Sequence, residues 1–451
     1  MKRSYVLLLT AAFCGCSGSE PSGTSGSGGT SGSAGTSGSA GTSGTAGTSG
    51  TAGTSGTAGT SGTAGTSGTA GTSGTAGAGG RGGAAGSTTG AGGRGGAAGS
   101  TAGTTGTAGT GGASTLAASY YIGADITDQE TQAVAARANL LTLMTAHGFN
   151  YVRLRTFVDP KAADGYDKTN GYDDITHTVA FGKQVKDAGM GLLVDFHYSD
   201  NWADPGKQCV PVAWQGYTTI AQMATAVHDY TSASITALVA GGARPDMVQI
   251  GNEETPGILI HLCDGGGLPK AGTAGYNAVN GAIYLYSSTD GGAPPAGGPA
   301  AGGWTNLGML LNAAAKGVKD VDAGIQIALH LDRGNDLASS KSYITNANSK
   351  GVPFDVFGES CYANTQGQPA NWQATFSSLA TSFPNLKFII AEYSTDQRAA
   401  NDVLYNLANQ QGIGTFNWQP GDLWTRSGSN YTVQTDMAIY DQMKIDYAPR
   451  L

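Results

Sequence analysis

Eight short apolar runs recur between Tyr121 and Trp418, at 121–125, 151–155, 191–197, 246–252, 325–330, 354–358, 387–392 and 414–418. Stretches of helical spacing separate them, among them 132–146, 177–188, 219–239 and 307–321. The runs are nearly continuous in apolar residues instead of alternating strictly, which marks strands covered on both faces. Eight such strands joined by helices in one domain predict an α/β fold, the (β/α)8 TIM barrel. A doubly wound open sheet is the rival architecture, and it is disfavoured because no glycine-rich phosphate turn follows any strand.

The alternation leaves out the first quarter of the 451-residue chain. From Ser17 to Ser114 there is no aromatic residue, and the charges are Glu20, Arg81 and Arg94. Such a stretch cannot bury enough apolar surface to offset the entropy of ordering its backbone, so residues 17–114 are expected to be a disordered, low-complexity tether. The hexad Thr-Ala-Gly-Thr-Ser-Gly repeats through it. About 97 residues of this composition have a root-mean-square span of roughly 55 Å. Ahead of the tether, Met1-Lys2-Arg3 leads into an apolar run at 5–13 that falls short of the roughly 20 residues a spanning helix needs. This reads as an export signal over residues 1–16. Gly15-Cys16 resembles a bacterial lipobox, which implies lipidation at Cys16 and a protein anchored at the outer surface of the cell through a lipid alone; simple cleavage would leave it secreted.

Residues 115–451 remain for the barrel domain. Setting aside Lys2, Arg3, Arg81, Arg94 and Glu20 leaves 20 basic against 31 acidic residues in the folded part. That acidity argues against nucleic acid as a partner and suits a neutral substrate. A monomer is expected. No His/Cys spacing resembles a zinc site, and neither a metal nor a cofactor is expected. Cys209, Cys263 and Cys361 are odd in number; Cys209–Cys263 is the preferred bridge, because both fall in long loops after strands.

The strand ends carry the chemistry. Asp125, Arg153 and Arg155, Asp195 and His197, Asn252 and Glu253, His330, Glu359, Glu392 and Trp418 all lie at or near C-terminal strand ends. In a barrel these ends converge on the face that holds the active site. Glu253 closes the fourth strand and Glu392 the seventh. Two carboxyl groups across one cleft suit glycoside hydrolysis, one protonating the leaving oxygen and the other attacking the anomeric carbon or activating water. Neighbours on an extended chain point to opposite faces, so Glu253 and not Glu254 is expected in the cleft.

The segments Gly123-Ala-Asp125, Asn150-Tyr-Val-Arg-Leu-Arg155, Asp195-Phe-His-Tyr-Ser-Asp200 with Trp202-Ala-Asp-Pro-Gly-Lys-Gln208, and Pro245-Asp-Met-Val-Gln-Ile-Gly-Asn-Glu253 together resemble the family 53 glycoside hydrolases, endo-β-1,4-galactanases acting on type I arabinogalactan. The resemblance implies a retaining barrel with Glu253 as general acid/base, Glu392 as nucleophile and Asn252 on the sugar 2-hydroxyl, and a polysaccharide, β-1,4-galactan, as partner. An arginine beside the nucleophile would keep it ionised; Arg153 and Arg155 share one strand face, and both remain candidates. His197 is expected to orient a carboxylate or hydroxyl. Trp202, Tyr362 and Trp418 offer flat faces for sugar rings, and Asp195 and Asp200 bind hydroxyls or brace loops. Two segments depart from the family's pattern, Glu359-Ser-Cys-Tyr-Ala363 and Phe416-Asn-Trp-Gln-Pro420, and 265–303 is an insertion beside the acid/base. These departures keep open another β-1,4-glycan (mannan, xylan or glucan) as substrate; a surface protein that binds glycans without cleaving them is a separate alternative, against which Glu253, Glu392 and Asn252 argue. The loop after Glu392 is too short for the calcium site found in some bacterial members.

Overall fold

The computed structural model describes residues 119–270, 277, 279–283 and 303–451. The proposed signal and tether, and most of the 265–303 insertion, lie outside these residues. The strands are β1 (Tyr121–Asp125), β2 (Tyr151–Thr156), β3 (Gly191–Phe196), β4 (Met247–Ile250), β5 (Gln326–Leu331), β6 (Val356–Ser360), β7 (Lys387–Tyr393) and β8 (Gly412–Trp418). They pair in chain order, all parallel, and β8 returns to β1 to close the barrel. A hairpin, β9 (Trp424–Ser427) and β10 (Asn430–Val433), follows β8. The helices are α1 (Val134–Ala146), α2 (Ile175–Asp187), α3 (Ile220–Ala240), α4 (Trp304–Val321), α5 (Leu337–Ser349), α6 (Pro369–Ser382), α7 (Gln397–Tyr405) and α8 (Met437–Asp446). The sequence places every barrel strand. It ends the fourth two residues late and sets the sixth two residues early.

Local chemistry explains where the helices begin. The Asp174 carboxylate accepts from the His177 backbone N–H at 2.8 Å and opens α2. Thr219 and Gln222 exchange hydrogen bonds in a capping box that opens α3. Such caps contribute about 1 kcal/mol each by satisfying amides that the helix leaves unpaired.

Two apolar clusters explain the continuous apolar runs. One lies inside the barrel, from Tyr151, Leu193, Met247, Ala328, Val356, Ile389, Ala391, Ile413 and Phe416. The other fills the layer between sheet and helices, where Val152, Leu154, Val194, Ile327 and Phe388 meet Leu140, Phe181, Leu310 and Phe376. Each fully buried side chain of this kind contributes about 1.5–3 kcal/mol. Gly123 makes room for the inner cluster: a Cβ there would fall 2.5 Å from the Phe416 ring.

Candidate active site

Alternation along the strands builds the site on this apolar floor. Two residues beyond Tyr151 on β2 stands Arg153; two beyond Leu193 on β3 stands Asp195; two beyond Met247 stands Gln249; two beyond Ala328 stands His330. All four polar side chains are buried. An apolar layer therefore gives way, one step toward the C-terminal face, to a layer of charged and hydrogen-bonding groups.

Arg153 organises that layer. Its guanidinium meets Asp125 at 3.0 Å, Asp195 at 2.7 Å and Glu392 at 2.9 Å, and donates to Asn252 Oδ1 at 2.9 Å. Burial opposes its charge, but Asp195, Glu392 and Asp125 outweigh burial and hold it protonated. Arg155 goes elsewhere. It donates to Asp173 at 3.0 Å, lies 3.5 Å from Asp125 and rests 4.0 Å over the Trp202 ring. Of the two arginines, Arg153 is the one beside Glu392.

Both glutamates reach the cleft through irregular backbone. On β7, Ile389 and Ala391 face the barrel interior while Ile390 and Tyr393 face the helices. Simple alternation would send Glu392 outward with Ile390. The pairing of β7 slips against β6 and β8 at this point, and such an irregularity re-aims a side chain. Glu392 turns inward onto Arg153 and accepts from the Tyr362 hydroxyl at 2.8 Å. Glu253 lies beyond the end of β4, with φ at 44° after Gly251 at 117°. Opposed neighbours on an extended strand are therefore not the reason Glu253 and Glu254 part; a left-handed turn separates them. Glu253 accepts from the Ser360 hydroxyl at 2.6 Å, whereas Glu254 is fully buried and accepts from Tyr343 on α5 at 2.5 Å.

The same turn sets Asn252. Its Oδ1 faces Arg153, Gln249 at 3.1 Å and His330 Nδ1 at 2.9 Å, and its Nδ2 donates to the Ala203 carbonyl at 2.8 Å. Gln208 donates to the Asn252 carbonyl at 2.8 Å and holds the turn from outside.

The two carboxyl groups have different surroundings. Burial pushes Glu253 well above the usual carboxylate range, Glu392 and Asp332 add to this, and the Ser360 hydrogen bond opposes it. Burial also raises Glu392, but Arg153 and the Tyr362 hydroxyl pull it back. Both carboxyls are thus raised by burial, and only Glu392 has a cation to oppose it. His330 is pushed well below its ordinary value by burial, then by Arg153 and His197, and stays neutral.

The remaining sequence candidates fall into two groups. Tyr362, Trp202 and Trp418 are partly exposed, and the two tryptophan rings meet edge-on at 6.4 Å. Asp195, His197 and Asp200 are buried supports. Asp195 accepts from Arg153, from Gln249 at 2.6 Å and from His197 Nε2 at 2.9 Å. His197 Nδ1 accepts from the Ala203 N–H at 2.9 Å. Asp200 accepts the Asp159 and Val212 amides at 3.0 and 2.8 Å and so braces two loops. Glu359 points to the helices, taking the Ser340 hydroxyl at 2.5 Å and the Arg333 amide at 2.8 Å. Cys209 and Cys263 form a disulfide, and Cys361 is a buried free thiol.

Sequence reasoning overlooked Gln249, Asp173 and Ser360. Gln249 was findable by counting two residues on from Met247. Ser360 follows Val356 and Gly358 on one face of β6, a relation lost when the strand is set two residues early. Among the described residues no group of three His, Cys, Asp or Glu side chains is arranged to hold a metal, and no helix is long and apolar enough to cross a membrane.

Comparison with known proteins bears on the fold and the family. An endo-β-1,4-galactanase of Bacillus subtilis is 27% identical over 337 residues, covering 68% of this chain and 68% of that protein. An uncharacterized protein of Niallia circulans is 35% identical over 224 residues, 50% of this chain and 51% of its own length, so the match spans about half of that relative. A solved structure of fungal β-1,4-galactanases shares the fold, with TM-score 0.54 and 21% identity, over 72% of this chain and all of that one. The family model for glycosyl hydrolase family 53 matches residues 116–421, which takes in all eight barrel strands and both cleft glutamates, and the chain belongs to that family.

Proposed function

We propose that the chain is a retaining, endo-acting hydrolase of β-1,4-galactosidic linkages in type I arabinogalactan, with Glu392 as nucleophile and Glu253 as general acid/base. In the first step a Glu392 oxygen bonds to the anomeric carbon as the glycosidic C–O bond breaks, and Glu253 gives its proton to the departing oxygen. In the second, Glu253 takes a proton from water, the water oxygen bonds to the anomeric carbon, and Glu392 leaves as the carboxylate. Asn252, held by Arg153 and Ala203, is placed to meet the 2-hydroxyl; Tyr362 and Trp418 flank the reacting sugar. The observation that carries this reading is the Glu392–Arg153 contact of 2.9 Å, which compensates one cleft carboxylate, whereas at the other burial and repulsion outweigh the Ser360 hydrogen bond.

Within the departing Glu359–Ala363 segment Cys361 is buried, whereas Ser360 and Tyr362 reach Glu253 and Glu392; galactan as the substrate is supported by the family and its galactanase relatives. Residues 1–16 and 17–114 would then serve as export signal and tether, with lipid anchoring at Cys16 outside the cell, for a monomeric enzyme. The test is reducing-end release from pectic galactan by the full chain, beside mannan, xylan and glucan, with anomeric configuration followed by proton NMR. Glu253→Gln is expected to lower turnover by about 10²- to 10⁴-fold, and Glu392→Gln at least as much. Turnover unchanged in either variant, or a preference for another glycan, would overturn the assignment.

A further inference from the structure

Ser360 sits between two groups that compete for its one proton. Its Oγ lies 2.6 Å from Glu253 Oε1 and 3.0 Å from His330 Nε2. A serine hydroxyl donates once and accepts through its lone pairs. The other end of the imidazole decides what His330 needs. Around Nδ1 stand Asn252 Oδ1 at 2.9 Å, Gln249 Nε2 at 3.1 Å and the Glu253 N–H at 3.4 Å. Gln249 has better acceptors for its two hydrogens, in Asp195 Oδ1 at 2.6 Å and the Gly251 carbonyl at 3.0 Å. The shortest contact is thus to an amide oxygen that can only accept, and the competing Glu253 N–H is the longest of the three at 3.4 Å, which favours the proton on Nδ1 and leaves Nε2 as an acceptor facing Ser360. Burial and the charge of Arg153 keep the ring neutral.

We infer that Ser360 and His330 are positioning residues that govern the Glu253 proton in opposite senses, Ser360 holding the ionised carboxylate and His330 drawing the serine hydroxyl away from it. When Glu253 is ionised, Ser360 turns its hydrogen to the carboxylate, a charge-assisted bond, and His330 Nε2 goes without a donor. When Glu253 carries its proton, it donates to Ser360 and the serine hydroxyl turns to donate its hydrogen bond to His330 Nε2; Nδ1–H still donates to Asn252. Only the protonated form satisfies every partner in the chain. The remaining charged or titratable groups around Glu253 are Glu392 on β7, Asp332 after β5, Asp204 in the loop after β3 and Tyr362 after β6, with Arg153 reaching them through Glu392. They are the same in every variant below, so a difference between variants belongs to the pair.

This inference rests on Glu253 as the acid/base, and the experiment separates the two. Profiles of kcat/KM against pH are recorded on galactan for the full-length wild type, Ser360→Ala, Ser360→Thr and His330→Leu, with carboxyl ¹³C titration of Glu253 in the same proteins. Ser360→Ala removes the donor to the ionised form, so its alkaline limb moves up by about one pH unit. Ser360→Thr keeps the hydroxyl and restores the wild-type limb. His330→Leu frees Ser360 for the carboxylate, so its limb moves down. Limbs that stay in place while kcat falls, or that move the same way in both variants, overturn the inference. If His330→Leu does not fold, the Ala and Thr variants still fix the sign at Ser360, and an unmoved Glu253 titration in Ser360→Ala overturns it without reference to activity. An alkaline limb that persists in the residual activity of Glu253→Gln overturns the acid/base reading itself.

Discussion

Four acceptors converge on one guanidinium at Arg153, and the shape of the group matters as much as its charge. Arginine presents a planar fork of donors, whereas lysine is a point charge on a flexible stem. Arg153→Lys is expected to keep the barrel folded but to lose part of the set Asp125, Asp195, Glu392 and Asn252. With less compensation, Glu392 ionises at higher pH. The acidic limb of the kcat/KM profile should therefore move up by about one unit, with activity at neutral pH about 10- to 100-fold lower. An unshifted acidic limb would show that Arg153 does not tune Glu392. Sequence alone left Arg153 and Arg155 equal because both occupy one face of β2. The choice is made by register, which sets Asp125 beside Arg153 on the neighbouring strand, and by barrel closure, which brings Glu392 across from β7.

Strands and helices were legible because their periodicity is local, whereas the two elements that aim the glutamates depart from it. The slip in β7 and the left-handed turn after β4 depend on how adjacent strands pair, and no apolar pattern encodes that. A loop contact secures the second of these. Gln208, which holds the Asn252 carbonyl, precedes Cys209, whose disulfide to Cys263 spans 54 residues of sequence. Its backbone carbonyl also takes the amides of Ile260 and His261 at 2.8 and 2.9 Å. Replacing both cysteines with alanine is expected to lower stability by about 2–4 kcal/mol and to reduce kcat severalfold as the turn loosens. Thermal unfolding and initial rates on the double variant check this. A fall in melting temperature with kcat intact would confine the bridge to stability.

Acidity acts on the whole molecule through its buried carboxyls. Burial, as the largest cause, pushes Glu130, Glu254 and Glu359 each up to about 8. In the unfolded chain they titrate near about 4.3. Between these values the folded protein binds more protons than the unfolded one, so stability falls as pH rises through that window. The melting temperature should be higher at pH 5 than at pH 9, and scanning calorimetry across that range reads the sign directly. The acidic surface works in the same direction, because its self-repulsion grows as remaining carboxyls ionise. Cys361 adds a consequence of a different kind. Its thiol is 1% exposed, packed at the position a Gly334 Cβ would need, and burial raises it well above its ordinary value. An odd cysteine in an oxidising milieu ordinarily invites cross-linking to a second chain; here the sulfur is sealed inside the wall of the barrel, beyond the reach of another molecule's thiol.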